Sequence, residues 1–236
     1  MRQAMIFAAG LGTRLKPLTD TMPKALVPVG GRPLLDIVVS RLLATGLYDR
    51  FVINVHHFPR QIIDYVSTRD YASLVVFSDE SNELLETGGG LKKAAPLFSA
   101  EEPILIHNVD ILSNVDLADL YAHADRFDAM LLVSRRTTKL YLLFDDDMLL
   151  RGWTNIDTGE VRSPISCINR NDMNMLAFSG IHVVAPQTLQ LLRNMPERFG
   201  IIDFYLKYCD RHSIRGYEKT DLRLNGNPLA GSPRQS

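Results

Sequence analysis

The apolar run Met5-Ile6-Phe7-Ala8-Ala9 breaks directly into Gly10-Leu11-Gly12, and the stretch that follows carries Pro17 and Pro23. The run reads as a buried strand, and the two prolines keep the next residues out of regular helix. A first strand that empties into a long irregular loop constrains the rest of the chain, because such loops are functional far more often than they are spacers. Glycines let backbone N–H groups close on an anion. Arg14 supplies a planar fork of donors and Lys24 a compact point charge, a combination suited to a polyphosphate. The loop is not a Walker A sequence, and Leu15 stands where a dinucleotide-binding fingerprint needs its third glycine.

The segments that follow alternate. Leu34, Ile37, Val38, Arg41 and Leu42 keep helical spacing behind Pro33, and Gly46 ends the helix. Residues 51–55 form a second strand, 61–66 a short helix and 74–77 a third strand, the pattern of a parallel sheet wrapped by helices. Residues 103–110 form a fourth strand that runs into Asp110, where a carboxylate is placed to hold a magnesium ion. His56 and His57 close the second strand, but adjacent side chains on a strand point to opposite faces, which disfavours a shared metal. Between the third and fourth strands lies Glu86-Thr87-Gly88-Gly89-Gly90, whose glycines are expected to leave free N–H groups at a helix N-terminus.

A helix over 117–124 capped by Asp116, a fifth strand over 129–134, a hairpin with Asp145-Asp146-Asp147 as a solvated turn, and an irregular polar insert over 153–166 come next. Residues 175–184 form a strand in which Gly180 allows close backbone approach to a ligand; helices over 186–193 and 201–208 and a late strand over 214–217 follow. The 236 residues are 46% apolar with a net charge of −1, enough for a real core and too balanced for a general nucleic-acid or acidic-membrane surface. Cys167 and Cys209 make neither a disulfide framework nor a metal knuckle, and with no leader pattern the chain is expected to be cytoplasmic.

The stretch from Gly10 to Val29 resembles the signature of the sugar-1-phosphate nucleotidyltransferases, and Glu86-Thr87-Gly88-Gly89-Gly90 is similar to the small members acting on N-acetylmuramic acid 1-phosphate and to mannose-1-phosphate guanylyltransferase-like enzymes. The resemblance implies a single three-layer, Rossmann-like α/β nucleotidyltransferase domain with a mostly parallel central sheet, expected over residues 1–228; residues 229–236 lack helical periodicity and are expected to be a disordered tail. It implies a nucleotide held by Ala8, Ala9, Gly10, Gly12, Glu86, Thr87 and Gly88, sugar contact near Gly180, catalysis by Arg14, Lys24 and Asp110, and Mg2+ on Asp110. The substrates implied are a nucleoside triphosphate, UTP favoured, and a sugar 1-phosphate, N-acetylmuramic acid 1-phosphate favoured, for nucleotide-sugar and cell-wall biosynthesis, in a monomer or small homo-oligomer. A guanylyltransferase-like enzyme and a non-catalytic nucleotide-sugar sensor are the alternatives.

Two departures stand out. Val109 replaces the glycine expected before the metal aspartate, and Asn225 stands near the position of the family's second metal aspartate. Asn is a weaker magnesium ligand than a carboxylate. Either the tail is altered, or Asp221 or Asp203 reaches the metal instead.

Overall fold

The computed structural model describes residues 2–99 and 101–219 together with a two-residue strand at 224–225. Four strands make the parallel centre: β1 (Gln3–Phe7), β2 (Arg50–Val55), β3 (Val75–Asp79) and β4 (Ile104–Asn108), in the order β3-β2-β1-β4. Every residue of β1 is buried, as its unbroken apolar run requires when helices cover both faces of a parallel sheet. Helices α1 (Leu34–Ala44), α2 (Pro59–Ser67) and α3 (Glu86–Ala94) are the crossovers.

Beyond β4 the sheet changes character. Helix α4 (Leu117–His123) leads to β5 (Ala129–Ser134), and a hairpin follows: β6 (Leu140–Phe144), β7 (Leu150–Asn155) and the short β8 (Val161–Arg162). The long strand β9 (Asn174–Val184) runs antiparallel to its neighbours. Its second half pairs with β4, from Ile181 opposite His107 to Val184 opposite Ile104, while its first half pairs with β6. β9 therefore carries the sheet past the carboxyl ends of the parallel strands and hangs the hairpin above them. Helix α5 (Ile201–Tyr208) and strand β10 (Ile214–Glu218), parallel to β5, close the fold.

Two apolar cores lie on opposite faces of the sheet. One gathers Leu35, Val39 and Leu42 of α1 around Ile6, Ile53 and Leu105. The other gathers Leu91 of α3 and Phe204 and Tyr205 of α5 around Met5, Val52 and Ile106. Alternate residues of each strand feed alternate cores.

Three expectations need correction. The glycines of the second run lie within α3 rather than before it. The segment 153–166 is not wholly irregular, because Trp153 pairs with Arg162 and Thr154 with Val161. The helix expected over 186–193 is one α-turn, Pro186–Leu189, passing into a 3-10 segment. Asp145 does sit in a turn: it accepts from the N–H groups of Asp147 and Leu149 and pairs with Arg151 at 2.6 Å. Asp221 and the tail over 229–236 lie outside the described residues.

Candidate active site

A cleft of about 410 Å³ opens above the carboxyl ends of the parallel strands, the usual ligand position in such sheets. Ala9 and Gly10 line one wall. Gly10 is exposed, and a Cβ placed on it would meet nothing within 4 Å, so its backbone faces open space. Gly12 has another reason to be glycine. Its φ of +66° is left-handed, and a Cβ would press on Thr19 Cγ2 at 2.7 Å. Its carbonyl accepts from the Leu15 N–H and from Thr19 Oγ1, which folds the loop back on itself.

Lys24 begins a 3-10 turn after Pro23, and its ammonium donates to Asp110 Oδ2 within the same cleft. Both side chains are largely shielded from solvent. Asp110 follows β4 in a turn closed by the Ile111 N–H on the Asn108 carbonyl at 3.2 Å. Val109, in the glycine's place, is buried in the first core and donates its N–H to the Phe7 carbonyl, so the turn keeps its register beside β1. The strand at 224–225 pairs with 112–113, placing the Asn225 backbone opposite Leu112, just beyond that turn. Asp203 is committed elsewhere: it accepts from the Gly200 N–H at the start of α5 and pairs with Arg162 at 2.5 Å. Among the described residues no group of three or more His, Cys, Asp or Glu is arranged to hold a metal.

The floor of the cleft is a buried polar chain that sequence reasoning missed. The Ala8 N–H donates to Asn54 Oδ1 at 2.7 Å, and Asn54 Nδ2 donates to Glu80 Oε1 at 2.7 Å. The Ala8 N–H is thus used by the protein rather than left for a phosphate. Glu80 is almost fully buried, and its Oε2 makes no hydrogen bond of good geometry. Burial raises its carboxyl pKa above the ordinary 4.5, against the lowering effects of the Asn54 amide and the Leu85 backbone N–H. The signal in the sequence was small: one Asn inside Phe51-Val52-Ile53-Asn54-Val55, and one Glu just past β3.

Glu86 and Thr87 form the far wall. Two of the N–H groups in the first turn of that helix are already used, because those of Gly88 and Gly89 both donate to the Phe199 carbonyl, at 2.9 and 3.1 Å. The glycines are there for packing. A Cβ on Gly88 would lie 2.2 Å from Phe199 Cε2, one on Gly89 2.3 Å from the Glu197 carbonyl, and one on Gly90 2.7 Å from Glu80 Oε1. Gly180, φ +73°, sits in the β9 register shift, and its close approach is to the Asn108 side chain, whose Nδ2 would lie 2.7 Å from an added Cβ. Arg14 is exposed on its 3-10 turn and does not line the cleft. His56 Nδ1 meets the Glu80 carbonyl and His57 Nε2 the Thr19 carbonyl, so both histidines fasten the surrounding loops.

Residues 3–140 match the nucleotidyl transferase family model. The chain is 33% identical over 193 residues to an N-acetylmuramate alpha-1-phosphate uridylyltransferase of Caulobacter vibrioides, covering 78% of this chain and 75% of that one. It is 35% identical over 123 residues to a mannose-1-phosphate guanyltransferase of Schizosaccharomyces pombe, covering 51% of this chain and 33% of that one. HddC from Yersinia pseudotuberculosis, solved as a complex with GMP-PN, shares the fold with a TM-score of 0.73 at 22% identity, over 97% of this chain and 95% of that one. No helix among the described residues is long and apolar enough to cross a membrane. The matched family region takes in both walls of the cleft and the Lys24–Asp110 pair between them, and on that match the chain belongs to the nucleotidyl transferase family, as a sugar-1-phosphate nucleotidyltransferase.

Proposed function

We propose that this enzyme transfers a uridylyl group from UTP to N-acetylmuramic acid 1-phosphate. The observation that carries the chemistry is the Lys24–Asp110 pair lining the same cleft as Gly10; the substrate choice rests on the uridylyltransferase relative. A phosphate oxygen of the sugar 1-phosphate attacks the α-phosphorus in line. The new P–O bond forms as the bond to the bridging oxygen breaks, and pyrophosphate leaves with that electron pair. The nucleophile is already anionic, so no general base is needed. The protein contributes alignment, worth about 7–11 kcal/mol, and stabilisation of charge on the departing phosphates.

Lys24 supplies that stabilisation, because an incoming triphosphate offers its ammonium a more highly charged partner than Asp110. Asp110 would then be the residue that holds Mg2+, an ion that binds through as few as one protein carboxylate. When bound, the ion polarises and orients the phosphates. Gly10 and Ala9 approach the phosphates through the backbone, and the resemblance assigns Arg14, exposed on the same loop, to them as well.

Glu80 supports the choice of base. Glu80 lines the cleft beside Asn54 and is the acceptor assigned to the base edge. Uracil offers the N3–H and guanine the N1–H and N2 amino group, whereas cytosine and adenine present a ring nitrogen acceptor at the matching edge. The site chemistry therefore fits UTP and GTP. A second reading, guanylyl transfer to mannose 1-phosphate, is favoured by the Schizosaccharomyces pombe relative. Pyrophosphate release from UTP, GTP, CTP and ATP, each with N-acetylmuramic acid 1-phosphate or mannose 1-phosphate, tests both. The highest kcat/KM is expected for UTP with N-acetylmuramic acid 1-phosphate; preference for GTP with mannose 1-phosphate would replace that reading with the second.

A further inference from the structure

Glu86 has a backbone that its side chain does not favour. Its φ is +64°, a left-handed conformation uncommon for a residue with a Cβ, found where surrounding contacts over-determine it. Those contacts come from one distant segment, residues 195–201, which crosses the first turn of α3. Arg198 Nε donates to Glu86 Oε1 at 2.9 Å, and the Ile201 N–H donates to Thr87 Oγ1 at 3.0 Å. The Phe199 carbonyl takes the Gly88 and Gly89 N–H groups, and Lys92 reaches back to the Met195 carbonyl at 2.9 Å.

The ion pair itself is half exposed, and exposed pairs contribute little to stability. Its position suggests another use. Glu80, Glu86 and Asp110 all line the cleft, and Lys24 is the cation lining it among the described residues. Both substrates are anions, so an uncompensated Glu86 would repel them. Along α3, Gly90 packs on the Asn54–Glu80 pair, and Glu86 lies about 6 Å further along the helix axis, away from that end and toward the 195–201 segment.

We infer that Arg198 is a positioning residue for sugar binding: it fixes the Glu86 carboxylate as an acceptor for the hydroxyl groups of the sugar 1-phosphate and offsets its charge beside the anionic substrates. The assignment rests on the reading of the cleft as a nucleotide and sugar-phosphate site. It makes the 195–201 segment the part of the fold that sets the sugar end.

A double-mutant cycle tests it, with Arg198→Ala, Arg198→Lys, Glu86→Gln and Glu86→Gln/Arg198→Ala assayed for pyrophosphate release. Arg198→Ala should raise the KM for the sugar 1-phosphate about tenfold, leave the KM for the triphosphate and the Tm unchanged, and change kcat less than about threefold. Arg198→Lys, which keeps the charge, should recover part of the loss. In the Glu86→Gln background, Arg198→Ala should have no further effect. An unchanged sugar KM for Arg198→Ala, or the same loss in both backgrounds, overturns the assignment; so does a fall in Tm that accounts for the lost activity. If UTP with N-acetylmuramic acid 1-phosphate is not turned over, only the substrate reading fails, and the cycle is run on whichever pair of the panel the wild type uses.

Discussion

Two glycine-rich stretches adjoin residues that line the cleft, and they are glycine-rich for different reasons. In the loop after β1, Gly10 looks into open space and a Cβ there would touch nothing within 4 Å. In α3, a Cβ on Gly88 would come within 2.2 Å of Phe199 Cε2. In the first stretch Gly10 leaves open backbone, which fits the anion contact proposed for it, and Gly12 serves its own turn; the second is a helix shaved so that another chain segment can lie on it. Composition marks both alike, and only the fold separates open backbone from close packing.

Substitutions on the two sides of the cleft should therefore fail in different ways. The largest effect is expected at the loop's cation: Lys24→Ala should lower kcat by about a hundred- to thousand-fold, roughly 3–4 kcal/mol, with little change in Tm. Steady-state pyrophosphate release and a thermal melt check both halves. Next come the glycines. Gly88→Ala should cost about 2–3 kcal/mol through overpacking, a Tm drop on the order of 5–10 °C, whereas Gly10→Ala should stay within about 0.5 kcal/mol of wild type and show its loss in nucleotide affinity. Equal Tm values for the two variants would erase the distinction.

Glu80 extends the contrast to the nucleotide end. Glu80→Gln replaces a charged acceptor with an amide and should reduce UTP-over-CTP discrimination about ten- to a hundred-fold. Because burial raises the Glu80 pKa, wild-type kcat/KM for UTP should begin to fall, as pH drops, above the ordinary carboxylate range, and the Gln variant should lack that limb.

The smallest effect concerns stability. His107 in β4 and His182 in β9 are buried, and burial lowers their pKa values from 6.5 to about 4 and about 3. A depressed histidine pKa means the unfolded chain binds the proton more readily. Stability is therefore full above pH 6.5 and declines as pH falls below it, by about 1 kcal/mol per histidine at about pH 5.5. Urea melts at about pH 7.5 and about pH 5.5 measure the decline, and His182→Phe should roughly halve it.

The parallel centre of the sheet was legible from periodicity, since β1, β2 and β4 are apolar runs bounded by turn residues and buried on both faces. Lys24 was marked by the long Gly10–Val29 signature and Asp110 by its place at the end of β4, and the fold brings the two side chains together. The Asn54–Glu80 chain was not, because it joins residues 26 positions apart through side chains whose neighbours look like ordinary strand. Nor was the packing role of Gly88, which depends on Phe199 far along the chain. Local pattern predicts elements; it does not say which element lies on which. Arg14 shows the complementary gap: the signature marks it, yet the side chain stands outside the cleft.

The most direct measurement is a crystal structure with Mg2+ and a non-hydrolysable UTP analogue. The expected result has the phosphates over Ala9 and Gly10, Lys24 moved from Asp110 onto a phosphate oxygen, the metal on Asp110, and the uracil edge against Glu80. A triphosphate seated elsewhere, with the Lys24–Asp110 pair intact, would contradict the assignment of this cleft as the reaction site.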